Sequence, residues 1–477
     1  MTVDSEKSNE NSVTENDGTS CDLPLETVLD CAPQDVDWKL AFERVSAYIA
    51  GHGGVYSREL VQHFMALMRT HEMIVLGGWT GTGKTTLCRL FAEAVGAELT
   101  LIDVPNEWKD KLALFGRFDP KTRQYYQTPF FEAVERARRS PDKLHLIVLE
   151  DLNRNGVPEG FLTELMNGLD DRTTPEVTFT VDPAVSRWRK ALPKVAELRN
   201  LLNALASTTD KTLAKLRTRH ANAAAAALGC DVSKLDETLA AMSIQAADTV
   251  EAFTDRFTIP NNVRIIGTMH IDYFWAVQEA FTTKLIDCVY MVRVETPHEV
   301  PAEMLCTGNG PAYPMSAHCF GERAPYPAYD PNADIVVKLS HLNNIMLALE
   351  IIPTMRMMRQ AVQYANLLAD FTADPDAAFT NFLRSKYMSR MILDGEWGTT
   401  PSTIYPYEWM WQAIEDMVTV VEKISTNQRL IEECKILDFQ TGHHICFVNY
   451  WAIGCGDCEC DDRFGVPPKR IDSDWNE

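Results

Sequence analysis

The sequence has no run of about 18 apolar residues, the length a helix needs to cross a bilayer, so no membrane-spanning helix is expected. Nor does it open on a basic stretch followed by an apolar one. It begins MTVDSEKSNENSVTEND, which argues against a secretory leader and makes the cytoplasm the expected compartment. Positive charge is scarce: 45 Lys and Arg stand against 67 Asp and Glu, a net charge of −22. Such a body has no general attraction for nucleic acid or acidic surfaces, so any contact of that kind needs a local basic patch. The chain has no internal repeat. Its 12 cysteines are mostly scattered through core-like stretches, as small buried hydrophobes are in a reducing compartment.

What is present is ordinary globular material, 45% hydrophobic and 23% charged over 477 residues, enough for two or three units of domain size. Residues 1–37 hold ten acidic side chains and only Lys7 as a base. They carry too little apolar surface to offset ordering entropy and are expected to be disordered. Residues 38–72 read as amphipathic helices.

From residue 73 strands and helices alternate. MIVLGGW (73–79), ELTLIDV (98–104), LHLIVLED (144–151), NNVRIIGTMHI (261–271) and IDCVYMVRVE (286–295) read as five strands. Helical stretches at 85–96, 130–140 and 160–171 separate the first of them. Near-continuous apolar runs in this alternation imply a parallel sheet covered on both faces, a three-layer α/β fold. TPEVTFTV (174–181) and RFTIP (256–260) read as a hairpin whose tip carries a helical, alanine-rich insert, residues 182–255. Between Arg187 and Arg219 the insert has nine Lys or Arg against Glu197 and Asp210. Residues 296–339 are rich in Pro, Gly and Tyr and read as a loop-rich linker. Residues 340–394 read as helices, and 395–477 as a mixed C-terminal segment.

Gly78-Trp79-Thr80-Gly81-Thr82-Gly83-Lys84-Thr85 matches the phosphate-cradling pattern G-x-x-x-x-G-K-[ST] without a mismatch, between an expected strand and an expected helix. The glycines let backbone N–H groups wrap a polyphosphate, and Lys84 places a cation by the β- and γ-phosphates. Thr85 offers Mg²⁺ a hydroxyl, and the helix starting at Thr85 and Thr86 adds its N-terminal dipole. Nucleotide hydrolysis also needs carboxylates: Glu150, ending the third strand, is expected to hold the metal, and Asp151 to orient the attacking water. A chance glycine turn and an ordinary strand-end acidic pair are the competing readings.

Several further segments resemble AAA+ NTPases of the McrB type, the motor subunits of modified-cytosine restriction systems, which are related to MoxR-type and dynein-like ATPases. They are Trp108 to Gly116 (W-x-D-x-x-x-L-x-G), Phe118-Asp119-Pro120, Thr128-Pro129-Phe130 with Ala133, and Glu150-Asp151-Leu152-Asn153-Arg154. Gly267-Thr268-Met269-His270-Ile271-Asp272 and Phe281 to Cys288 continue the series. The resemblance covers about residues 70–370, excluding the insert. It implies an AAA+ fold with a helical lid, ATP or GTP with Mg²⁺, a homo-oligomeric ring and a separate nuclease subunit. It also implies a pore-facing hairpin insert, whose basic part suits contact with nucleic acid or an acidic partner, with a solvated helical hairpin as the bland alternative. It places His270 at the sensor-1 position, normally Asn, and Cys288 at the arginine-finger position. Arg356 is then the candidate sensor-2 arginine of the lid, while Arg293, inside a strand, is a poor substitute for a finger.

With Glu150 and Asp151 also in reversed order, two function classes stand. One is a motor that remodels or moves along a macromolecule, with DNA in a defence system as one candidate. The other is a hydrolysis-deficient, nucleotide-gated scaffold. Nothing resembles a nuclease, a Ser-His-Asp arrangement or a known reader domain. In the tail, His443, Cys455, Cys458 and Cys460, near His444 and Cys446, have spacing compatible with a zinc site. Free thiols are the alternative there.

Overall fold

In the computed structural model the described residues are 28–119, 124–154, 158–172, 177–180, 197–204, 209–228, 230–239, 256–271, 283–295, 305–349, 351–394, 407–442 and 447–449. Two helices lead in, α1 (Trp38–Gly51) and α2 (Arg58–Met68), capped by the side chains of Asp37 and Ser57. Then follow β1 (Ile74–Gly78), α3 (Lys84–Val95), β2 (Glu98–Asp103), the one-turn α4 (Leu112–Phe115), and the hairpin β3 (Arg117–Asp119) and β4 (Gln124–Tyr126). Next come α5 (Pro129–Arg139), β5 (His145–Glu150) and α6 (Glu159–Asp170). The Thr128-Pro129 pair explains where α5 begins: the Thr128 hydroxyl accepts from Phe131 N and proline sits at the first helical position.

β6 (Val177–Thr180) pairs antiparallel with β7 (Arg256–Ile259), which forms the base of the insert. Within it, α7 (Lys211–Leu228) carries exposed residues throughout 211–220, and Leu202, Ala225, Leu235 and Leu239 make a small core separate from the main one. The chain returns through β8 (Val263–His270), a short α8 (Thr283–Cys288) and β9 (Tyr290–Arg293). The five parallel strands run in the order β2-β5-β8-β1-β9. This is the expected α/β architecture of a P-loop fold. One detail differs: residues 283–288, half inside the expected fifth strand, form a helix. Leu285 and Ile286 are buried from it, and the buried Lys386 ammonium donates to Asp287 O and Val289 O at its end.

The segment read as a linker is irregular but packed. Tyr313 N and Met315 N donate to Ala94 O and Val95 O, and Cys319 and Phe320 are buried. Where a helical lid is expected stand α9 (Asp334–Ala348), α10 (Met355–Leu368) and α11 (Ala377–Lys386), the first starting before the expected residue 340. β10 (Ile392–Asp394) pairs antiparallel with β11 (Phe447–Asn449). Between them α12 (Tyr407–Ile424) and α13 (Gln428–Gly442) pack on the lid. Asp376 fixes their turn, accepting from Ser425 Oγ, Thr426 N (2.8 Å) and Asn427 N (3.2 Å). No helix among the described residues is long and apolar enough to cross a membrane.

Candidate nucleotide site

The parallel register puts the carboxyl ends of β1, β8 and β5 side by side. Gly78 lies across from His270, and Leu149 across from Gly267, so Glu150 follows on the neighbouring strand. Ligands of open α/β sheets bind outside these carboxyl ends.

β1 leaves the sheet through the loop 78–83. Gly81 and Gly83 have φ of +88° and +87°, the left-handed region that favours glycine. At Gly83 a side chain would also strike the Tyr56 hydroxyl, 2.7 Å from an ideal Cβ. That hydroxyl donates to Gly83 O at 2.8 Å, and burial raises its pKa above the usual range, so it stays a donor. Trp79, Thr80, Gly81 and Thr86 form an exposed rim. The Thr82 hydroxyl donates to Trp79 O, 3.0 Å, closing the turn. The Lys84 side chain folds back, donating to Gly78 O (2.7 Å) and Trp79 O (2.8 Å). Its ammonium therefore lies inside the loop that phosphates would fill.

The Thr85 hydroxyl donates to Glu150 Oε1 at 2.6 Å, bringing together two oxygen groups 65 positions apart in the chain. A hydroxyl and a carboxylate, half-buried beside a phosphate loop, suit Mg²⁺, which takes few protein oxygens and completes its shell with phosphate and water. The chemistry of this donor set fits the ion.

Asp151 has φ of +57°, a strained value for a residue with a side chain. Its carboxylate is engaged at both oxygens: Oδ1 lies 2.5 Å from His270 Nε2, and Oδ2 accepts from Arg154 Nη2 at 2.8 Å. On its other side the His270 ring faces Thr80 Oγ1 from Nδ1, 3.4 Å. Asn153 locks this strand end, donating from Nδ2 to His270 O (2.6 Å) and accepting from His270 N (3.2 Å). Asn153 and Arg154 stand in the resembling block 150–154, where the sequence alone assigns neither a role.

Arg356 is not brought to this site. It pairs with Asp170 (2.6 Å) and Asp287 (2.8 Å) and lies 3.6 Å from Cys288 Sγ. Asp287 and Cys288 precede β9, whose first residue pairs with Ile74, so this cluster sits at the amino ends of the strands, opposite the phosphate loop. The position does not support a sensor-2 role. The lid and C-terminal arginines that do face the loop side are Arg384 and Arg429. With Tyr56, Glu59, Arg293 and Glu433 they line a cleft that shares Tyr56 with the phosphate loop. Arg384 bonds Glu59 (2.7 Å) and Glu433 (2.8 Å); Arg429 bonds Glu295; Arg293 bonds Glu295 at 3.3 Å. No spacing pattern marks Arg384 or Arg429 in the sequence. The zinc candidates His443, Cys455, Cys458 and Cys460 lie outside the described residues. Among those described, no three His, Cys, Asp or Glu cluster as a metal site.

A parallel sheet with a P-loop at the carboxyl end of an inner strand, β1, defines an α/β P-loop NTPase fold. Residues 73–217 match the AAA domain of the dynein-related subfamily, so this part of the chain is similar to that domain in sequence. No curated protein matches the chain. A solved structure from Cytophaga hutchinsonii, described as a "putative ATPase", is similar over 80% of this chain and 94% of that one, at 10% identity and a TM-score of 0.40.

Proposed function

We propose that the chain is a Mg²⁺-dependent nucleoside triphosphatase, with ATP favoured over GTP, that works as a ring-forming motor of the McrB type. The observation that carries this reading is the Thr85–Glu150 contact of 2.6 Å next to Lys84 inside the loop. Phosphate ligands would draw Lys84 from the Gly78 and Trp79 carbonyls onto the β- and γ-oxygens. Thr85 and Glu150 would hold Mg²⁺, which when bound neutralises charge on the transferring phosphoryl group. The cleft between Tyr56 and Arg384 is the place for base and ribose. The exposed, basic α7, with Lys211, Lys215, Arg217 and Arg219, suits a polyanion such as a nucleic-acid backbone, whose binding would weaken with salt. A nuclease would then belong to a separate chain.

The test is turnover of ATP and GTP by wild type, Lys84→Ala and Glu150→Gln. Phosphate release lost in both variants supports the hydrolase. No release above background in the wild type, with nucleotide-dependent assembly intact, supports the scaffold reading instead.

A further inference from the structure

Asp151 stands where an activating carboxylate is expected, yet both its oxygens are taken, Oδ1 by His270 and Oδ2 by Arg154. What faces the phosphate loop beyond it is the imidazole. A neutral imidazole carries one N–H, and the carboxylate across Nε2 selects the tautomer protonated there. The lone pair is then on Nδ1, the nitrogen turned to Thr80 of the loop. The geometry is held from three sides: Asn153 clamps the His270 backbone, Thr268 Oγ1 accepts from Asp151 N at 3.1 Å, and Arg154 holds the far oxygen of Asp151. The backbone at Asp151 is left-handed, and strain of that kind persists where surrounding contacts enforce it.

We propose that His270 Nδ1 is the proton acceptor for the attacking water and that Asp151 is the residue positioning it. The inference rests on the hydrolase reading above. In the step, the water oxygen bonds to the γ-phosphorus as the bond to the β–γ bridging oxygen breaks, giving nucleoside diphosphate and phosphate. The water proton passes to Nδ1. The imidazolium is stabilised across Nε2 by Asp151 and returns its proton to solvent, which reaches the ring because its side chain is 37% exposed. The charged groups around the ring are Asp151 in contact, Arg154 behind it, and Glu150 and Lys84 in the same site. An activated water needs such a base within hydrogen-bond reach, directly or through one water.

The test has two readouts. In protein labelled with ¹⁵N-histidine, the ring signals of His270, assigned by their loss in His270→Gln, report the tautomer: Nε2–H is expected, and Nδ1–H overturns the proposal. In single-turnover phosphate release with saturating Mg–ATP, His270→Ala should lose about 10²–10⁴-fold in rate while nucleotide affinity holds. Its ascending pH limb should vanish, and added imidazole should restore activity to it but not to Lys84→Ala. Turnover in His270→Ala or His270→Gln near the wild-type rate, or an unchanged pH limb, overturns the role of His270 and leaves the hydrolase standing. A wild type without Lys84-dependent turnover overturns both.

Discussion

The two ends of one five-stranded sheet hold polar residues of opposite kinds. At the amino ends, Glu72, Arg172 and Arg264 are almost fully buried, and each makes several hydrogen bonds. Glu72 accepts from Arg172 (3.1 Å), Tyr326 (2.6 Å) and Gln360 (2.8 Å), joining core, linker and lid. Arg264 donates to the carbonyls of Asn261, Val263 and Met68, and Arg323 to those of Gly168 and Leu169 at the end of α6. At the carboxyl ends, Thr85, Glu150, Asp151 and His270 are half-buried or exposed. Each of these four makes one or two side-chain bonds, mostly to residues that a nucleotide and its metal would also engage. Charges buried in hydrogen-bond networks hold the fold together; charges part-exposed at the carboxyl ends lie where a nucleotide and its metal would bind.

The comparison breaks most directly where a buried partner is removed. Glu72→Ala strands Arg172 in the core and should cost about 3–5 kcal/mol of stability in denaturant titrations, with little change in Mg–nucleotide affinity among molecules that remain folded. Glu150→Gln should do the reverse: unfolding midpoints stay close to wild type while phosphate release falls about 10²–10³-fold, as when one preorganised charge contact is deleted from a reacting site.

Acid sharpens the contrast. His63, buried and bonded to Tyr364 and Ser385, has its pKa pushed down to about 3, first by burial and then by nearby Arg384. The folded state resists a proton that the unfolded chain takes near pH 6.5. The unfolded state therefore binds more protons between about pH 6.5 and 3. Stability from this group is fully present above 6.5 and falls as pH drops, by about 1.4 kcal/mol per pH unit. His63→Gln should flatten that slope in pH-dependent melts; an unaltered slope would assign the acid sensitivity to other groups. The smallest effect is expected of Arg356→Ala. Its ion pairs are a third exposed and worth about 1 kcal/mol at most, and nucleotide affinity measured by titration should not move.

How much of this was legible in the sequence follows from how local each feature is. The phosphate loop is eight consecutive residues whose types dictate their own backbone, so it could be read directly. The sheet was legible because β5 and β8 are apolar runs with turn signals around them. The short helix before β9 was not, because an apolar run of this length suits either period. The register that sets His270 beside Asp151, at positions 119 apart, has no linear signature. Arg356 was misplaced because spacing along a lid helix does not say which end of the sheet that helix overlies. Tyr56 escaped notice because its partner, the Gly83 carbonyl, belongs to the backbone.

The central claim is that the carboxyl ends of these strands grip a triphosphate through the 78–83 loop, Lys84 and Thr85. Calorimetric titration of ATP and GTP, with and without Mg²⁺, into wild type and Lys84→Ala measures it most directly. Saturable, Mg²⁺-dependent binding by the wild type that is lost in Lys84→Ala is the predicted result. Absence of binding for both nucleotides, or equal affinity in the two proteins, would contradict it.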